Sequence, residues 1–137
     1  MTSRTLQAGD GMGVCTETLP RRAESAATGR RIVRAALRGW ELGDLVDTAE
    51  LVVTELIANA VQHARYGVVR LTVRCTEDGG VHVAVTDRSH QVPVLRQPGP
   101  AAQTGRGLAI VDSLAARWGH DPLPWGKRVW AELRGPS

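Results

Sequence analysis

The sequence predicts an α+β protein of two layers, a mixed and mostly antiparallel sheet with helices packed on one face. Three observations lead there. Two stretches of helical periodicity, 23–40 and 44–64, precede two alternating segments, 68–75 and 81–87, joined by the turn-like run Glu77-Asp78-Gly79-Gly80. A third helical stretch begins at Leu108 and is followed by another alternating segment, Lys127 to Leu133. Strands arranged in hairpins pair antiparallel, and amphipathic helices bury their apolar stripe against the sheet they serve.

Each element has its own signal. Val14 to Leu19 alternates and reads as an edge strand, and Pro20 suits the first position of a helix, where its missing N–H is not needed. Ala23, Ala26, Ala27, Val33, Ala36, Leu37 and Trp40 recur at helical spacing. Arg30, Arg34 and Arg38 form a second stripe on that helix, either a solvated face or a surface for a partner or nucleic acid. Asp44 can cap the next helix, whose set Leu45, Val46, Ala49, Val52, Val53, Leu56, Ala60 and Ala64 covers more than one face and predicts a central position. This helix should run to about His63-Ala64 and end near Tyr66-Gly67. In the first hairpin strand, Val69, Leu71, Val73 and Cys75 share one face and Arg70, Thr72 and Arg74 the other. Pro93, Pro98, Gly99 and Pro100 mark a loop from about Ser89 to Gly105. The third helix carries Leu108, Ile110, Val111, Leu114 and Ala115 and is expected to end near Trp118-Gly119, with Asp121 to Gly126 as a turn.

Length and composition narrow the classes. The 137 residues suit one domain, expected over 14–134, with 1–13 a disordered leader and 135–137 a tail. Met1 to Gly13 lacks the apolar core of a secretory signal, and no apolar run approaches the roughly 18–20 residues of a membrane span. Cys15 and Cys75 make neither a disulfide framework nor a zinc site, and buried thiols fit a cytoplasmic protein. Four Trp, one Tyr and no Phe argue against a stacking platform for single-stranded nucleic acid. Lys+Arg 17 against Asp+Glu 14 leaves a net charge of +3, with the acids interspersed, so no nucleic-acid footprint stands out.

Three groups of residues could carry chemistry. Glu55 and Asn59 lie one turn apart on the central helix, with His63 continuing the stripe. They read either as a wet face or as a hydrated metal site in which the Asn carbonyl binds Mg²⁺ and the Glu acts as a base. Asp87 shares the phase of Val81, Val83 and Val85, so it points into the core-facing side and needs a donor, from a turn or from a ligand's amine. Thr104-Gly105-Arg106-Gly107 precedes a helix, where backbone N–H groups bind phosphate, although alone it reads more readily as a loop hinge.

Taken in order, these segments resemble the boxes of the GHKL ATPase/kinase superfamily, which has the Bergerat fold, the ATPase fold of histidine kinases. The run 55–64 (ELIANAVQHA) resembles the N box, Asp87-Arg88-Ser89 with Pro93 a variant G1 box, and Thr104 to Leu108 the G2 box. The branch it resembles is the bacterial anti-sigma factor serine/threonine kinases, over residues 14–134. The resemblance implies that Glu55 is the general base, that Asn59 is the Mg²⁺ ligand and that Asp87 accepts from the adenine amine. It implies that Gly105 and Gly107 let the backbone approach the phosphates of ATP, with 89–104 as the lid. His63, Ser89, Thr104, Arg106 and Leu108 complete the ATP-binding set, His63 in a structural role. The implied partners are an anti-anti-sigma factor with a STAS domain, a sigma factor and a second copy in a homodimer, with no membrane and no direct nucleic-acid contact. Ser89 stands where the G1 box usually has glycine, its second glycine is absent, and Arg128 stands where the superfamily usually has an adenine-binding Thr. These departures favour a second class of function, an ATP-binding regulatory interaction module without kinase activity.

Overall fold

Among the residues that the computed structural model describes (4–9, 12–62, 67–88 and 103–135), the strands are β1 (Arg4–Gly9), β2 (Met12–Pro20), β3 (Val68–Cys75), β4 (Val81–Asp87), β5 (Arg117–Leu123) and β6 (Gly126–Leu133). They form one sheet in the order β1-β2-β3-β4-β6-β5, and every neighbouring pair is antiparallel. The helices are α1 (Ser25–Gly39), α2 (Val46–Gln62) and α3 (Gln103–Leu114).

One phase of the strands faces the helices. Cys15 and Leu19 of β2, Val69, Leu71 and Val73 of β3, Val81, Val83 and Val85 of β4, and Val129, Ala131 and Leu133 of β6 are buried together with Ile32, Val33, Ala36 and Leu37 of α1. The same core holds Val46, Ala49, Val52, Val53, Leu56, Ile57 and Ala60 of α2. Helix α2 packs on β4, β6, α1 and α3, which is why its apolar residues spread beyond a single stripe. Gly29 of α1 permits close approach, since a Cβ there would lie 2.5 Å from Ile57 Cδ1. On the opposite sheet face, Trp130 stacks on His82 at 5.5 Å between ring centres, and Arg117 lies over the Trp130 ring at 5.8 Å. That cover buries His82 and Ala84, so β4 is enclosed on both sides for most of its length.

The expected class, helix layer and β3–β4 hairpin are all present. The hairpin closes through Thr76 N to Gly80 O at 2.9 Å, with Gly79 at φ +82. Several element boundaries differ. Residues 4–9, expected within a leader without structure, form β1 and pair with 12–17, so β2 lies inside the sheet and not at its edge. Pro20 ends β2, paired with Val68, instead of opening α1; a turn over 21–24 intervenes, and Ser25 Oγ donates to the Pro20 carbonyl at 2.5 Å. Asp44 lies within a single 3₁₀ turn, Gly43–Leu45, that leads into α2. Helix α3 begins five residues before Leu108 and ends at Leu114, and Arg117–Leu123, expected as helix end and turn, is β5. Pro122 within it is tolerated because β5 is an edge strand.

Candidate functional site

Helix α2 supplies the first part of the site. Asn59 is 7% exposed, and its Oδ1 is buried with no hydrogen-bond partner among the described residues. A buried acceptor left unmade costs about 1–3 kcal/mol, so this carbonyl is an acceptor waiting for a donor or a cation. One turn earlier, Glu55 is half-buried, and burial pushes its carboxyl above the ordinary carboxylate range. A higher pKa makes the carboxylate a stronger base, nearer the value that suits proton abstraction at neutral pH. His63, which continues the stripe, lies outside the described residues.

Strand β4 supplies the second part. As alternation requires, Asp87 points to the helix-facing side, and its side chain is 1% exposed. Two buried cations meet it: Arg21 Nη2 at 3.6 Å from Oδ1 and Lys127 Nζ at 4.0 Å from Oδ2. Lys127 is the cross-strand partner of Asp87. Burial lowers the Lys127 pKa, Asp87 opposes that shift, and Arg21 adds to it. Gly126 fixes this corner, because a Cβ there would fall on the Asp87 carbonyl oxygen. Glu17 is also buried on the inner phase of β2. Sequence reasoning sought the donor for Asp87 in a turn or a ligand and missed both cations. The signal for Lys127 was present, since it shares the phase of Val129, Ala131 and Leu133. Arg128, read as the residue at the adenine position, points the other way and pairs with Asp121 at 2.6 Å.

Helix α3 supplies the third part. Thr104, Gly105, Arg106 and Gly107 fall in its opening turns, where the first N–H groups of a helix have no internal acceptor. Their side chains lie outside the described residues, as does all of Ser89 and the expected lid over 89–102. Leu108 is fully buried, so its side chain packs in the interior. Helix α2, which bears the first group, packs against both β4 and α3, which bear the other two. The arginine stripe of α1 is anchored within the protein: Arg34 makes a two-pronged pair with Glu50 at 2.8 and 3.0 Å, and Arg30 donates to Thr54 Oγ1 at 3.0 Å. The pairing raises the Arg34 pKa and lowers that of Glu50.

The family model for the histidine kinase-like ATPase domain matches residues 19–130, and the chain belongs to that family. That family is a kinase/ATPase class, and membership implies ATP binding. An uncharacterised protein of Streptomyces coelicolor is 44% identical over 72 residues, which cover 48% of this chain and 66% of that relative. No helix among the described residues is long and apolar enough to cross a membrane.

Mg²⁺ is tested by the donors present. Among the described residues no group of three His, Cys, Asp or Glu side chains gathers into a metal cage. The orphaned Asn59 oxygen fits a hard cation held mainly by phosphates and water.

Proposed function

We propose that the chain is an ATP-dependent anti-sigma factor, a protein serine/threonine kinase that phosphorylates a STAS-type anti-anti-sigma partner and sequesters a sigma factor in the cytoplasm. The observation that supports this reading is the pair on α2: a buried carbonyl oxygen with no donor among the described residues, one turn from a carboxyl whose pKa burial has raised. A serine hydroxyl is a weak nucleophile, and transfer from ATP depends on positioning, charge neutralisation and a base within reach. Asn59 would hold the ion, and Mg²⁺ when bound neutralises charge on the phosphoryl oxygens. In the transfer, the Glu55 carboxylate takes the hydroxyl proton of the partner. The serine oxygen forms a bond to the γ-phosphorus of ATP, the bond from that phosphorus to the β–γ bridging oxygen breaks, and ADP leaves with the electron pair. The N–H groups at the start of α3 would receive the phosphates.

The test is incubation with Mg-ATP and each STAS protein encoded nearby, followed by intact-mass measurement. One added phosphoryl group on the partner, lost with Glu55→Gln, is the expected result. Binding of ATP and partner without transfer refutes the kinase reading.

A second reading has one observation in its favour. Arg21 and Lys127 already engage the carboxylate that the adenine amine would use. That crowding favours an ATP-binding regulatory module whose partner binding, and not phosphotransfer, is its output.

A further inference from the structure

On the sheet face opposite the helices, a pocket of about 270 Å³ opens at the end of β4. Thr18, Arg70 and Thr86 lie in one cross-strand row on this face, Val68, Asp87 and Arg88 border it, and Trp125 from the β5–β6 turn forms a wall. Two features coincide in the pocket. Arg70 and Arg88, both exposed, have no carboxylate partner among the described residues, unlike Arg117 and Arg128 on the same face. Trp125 is 52% exposed and Val68 51%, two of the large hydrophobic residues that the described surface leaves open, and both line the same pocket. Isolated exposed apolar residues are ordinary, but an indole and a valine beside two uncompensated guanidiniums and two hydroxyls make a combined surface.

We propose that this pocket binds an acidic segment of a partner protein, presenting carboxylates to Arg70 and Arg88 and an apolar side chain to Trp125 and Val68. Arginine forks suit carboxylates, and an exposed tryptophan is the residue type that most often anchors a protein contact. The volume accommodates one or two side chains. A nucleic-acid duplex fits less well, because such binders typically neutralise about 6–10 phosphates and this patch offers two free cations. A second copy related by two-fold symmetry would bring the guanidiniums together, and the acids on this face, Asp121 and Glu132, are already held by Arg128 and Arg117. The surface meets the residues proposed for ATP at Asp87, which borders both, and the proposal extends the reading above.

The experiment is fluorescence anisotropy of the full chain with a labelled short peptide of alternating Glu and Leu, alongside its Lys–Leu counterpart. The acidic peptide is expected to bind at least about tenfold more tightly than the basic one, and to weaken about tenfold between about 0.05 M and 0.5 M salt. Arg70→Glu with Arg88→Glu should weaken it more than about tenfold, and Trp125→Ala about threefold or more. Arg70 and Trp125 are exposed, so circular dichroism and ATP affinity of Arg70→Glu and of Trp125→Ala should match the parent. Equal affinity for both peptides, or no response to the charge reversals, overturns the proposal. So does complete displacement by inorganic phosphate, which makes the site one for small anions. Tighter binding of duplex DNA, or a dimer in light scattering that the charge reversals dissociate, also overturns it in favour of another occupant.

Discussion

Replacing Asp87 with alanine should destabilise the protein before any question of nucleotide binding arises. The carboxylate lies 3.6 Å from one buried cation and 4.0 Å from another, with 1% of its side chain exposed. The three groups together carry +1; without Asp87 the two cations carry +2, without their shared counter-ion. Removing one partner of a buried pair costs about 3–5 kcal/mol, a large share of the roughly 5–15 kcal/mol that holds a domain folded. With a urea slope of about 2 kcal/mol per molar, the midpoint should fall by roughly 2 M. Urea unfolding followed by tryptophan fluorescence, without nucleotide, measures this. Lys127→Met in the Asp87→Ala background should restore part of the loss, because one of the two buried cations that faced the carboxylate goes with it. A midpoint for Asp87→Ala that corresponds to less than about 1 kcal/mol, or strict additivity in the double variant, refutes the reasoning. It follows that Asp87 variants probe adenine recognition cleanly only after their stability has been measured.

Other outcomes follow from the same geometry. Asn59→Leu removes an unpartnered buried acceptor and should stabilise the nucleotide-free protein by about 1 kcal/mol, while Mg-ATP affinity by calorimetry is lost; destabilisation would argue against the orphaned state. Glu55→Gln should keep ATP affinity and lower partner phosphorylation by about 10²–10⁴-fold. Because the native Glu55 pKa is raised, the folded state binds more protons than the unfolded between the two values, so this group's contribution to stability falls as pH rises through that window; urea midpoints of Glu55→Gln should lack that fall. Lys127, the chain's one lysine, has a lowered native pKa, so the unfolded chain holds more protons from there up to about 10.4, and its contribution to stability rises with pH; Lys127→Met should flatten the rise in alkaline urea midpoints. Gly126→Ala drives a Cβ into the Asp87 carbonyl and should lower stability by about 1–3 kcal/mol, read from thermal unfolding.

Sequence patterning carried the central elements because burial there is one-sided and periodic. Helix α2 and strands β3, β4 and β6 place apolar residues at 3.6 or 2 residue intervals, and the structure keeps those faces inward. The edges gave no such signal. Strand β5 reads Arg-Trp-Gly-His-Asp-Pro-Leu, partly open to solvent along its length, so nothing forces alternation. Strand β1, with Ala8 and Gly9 near its end, is an edge strand whose pairing with β2 defines it better than its composition does. Helix α3 begins over Gly105 and Gly107, poor helix formers, which shifted its apparent start to Leu108. At the site, the Glu55–Asn59 spacing and the inward phase of Asp87 followed from geometry of a single element. Arg21 did not, because it reaches Asp87 after a turn that no periodicity describes. Whether the Asn59 oxygen has a donor depends on neighbours from other elements, and no local pattern reports it.

The two ends of the proposed nucleotide site differ in what they lack. At Asn59 a buried oxygen has no hydrogen-bond partner among the described residues, and with Glu55 one turn away a cation would complete this end of the proposed site. At Asp87 the deficit runs the other way: two cations share one carboxylate, and any ligand there must share Asp87 with Lys127 and Arg21 or displace them. A base amine adds a donor where Arg21 and Lys127 already face the carboxylate. Base recognition at the proposed site would therefore depend on the cross-strand pair as a unit, through the strand register that sets Asp87 against Lys127. The same strand ends at Arg88, on the rim of the outward pocket, so β4 links the helix-side site to the opposite face through a few residues of backbone.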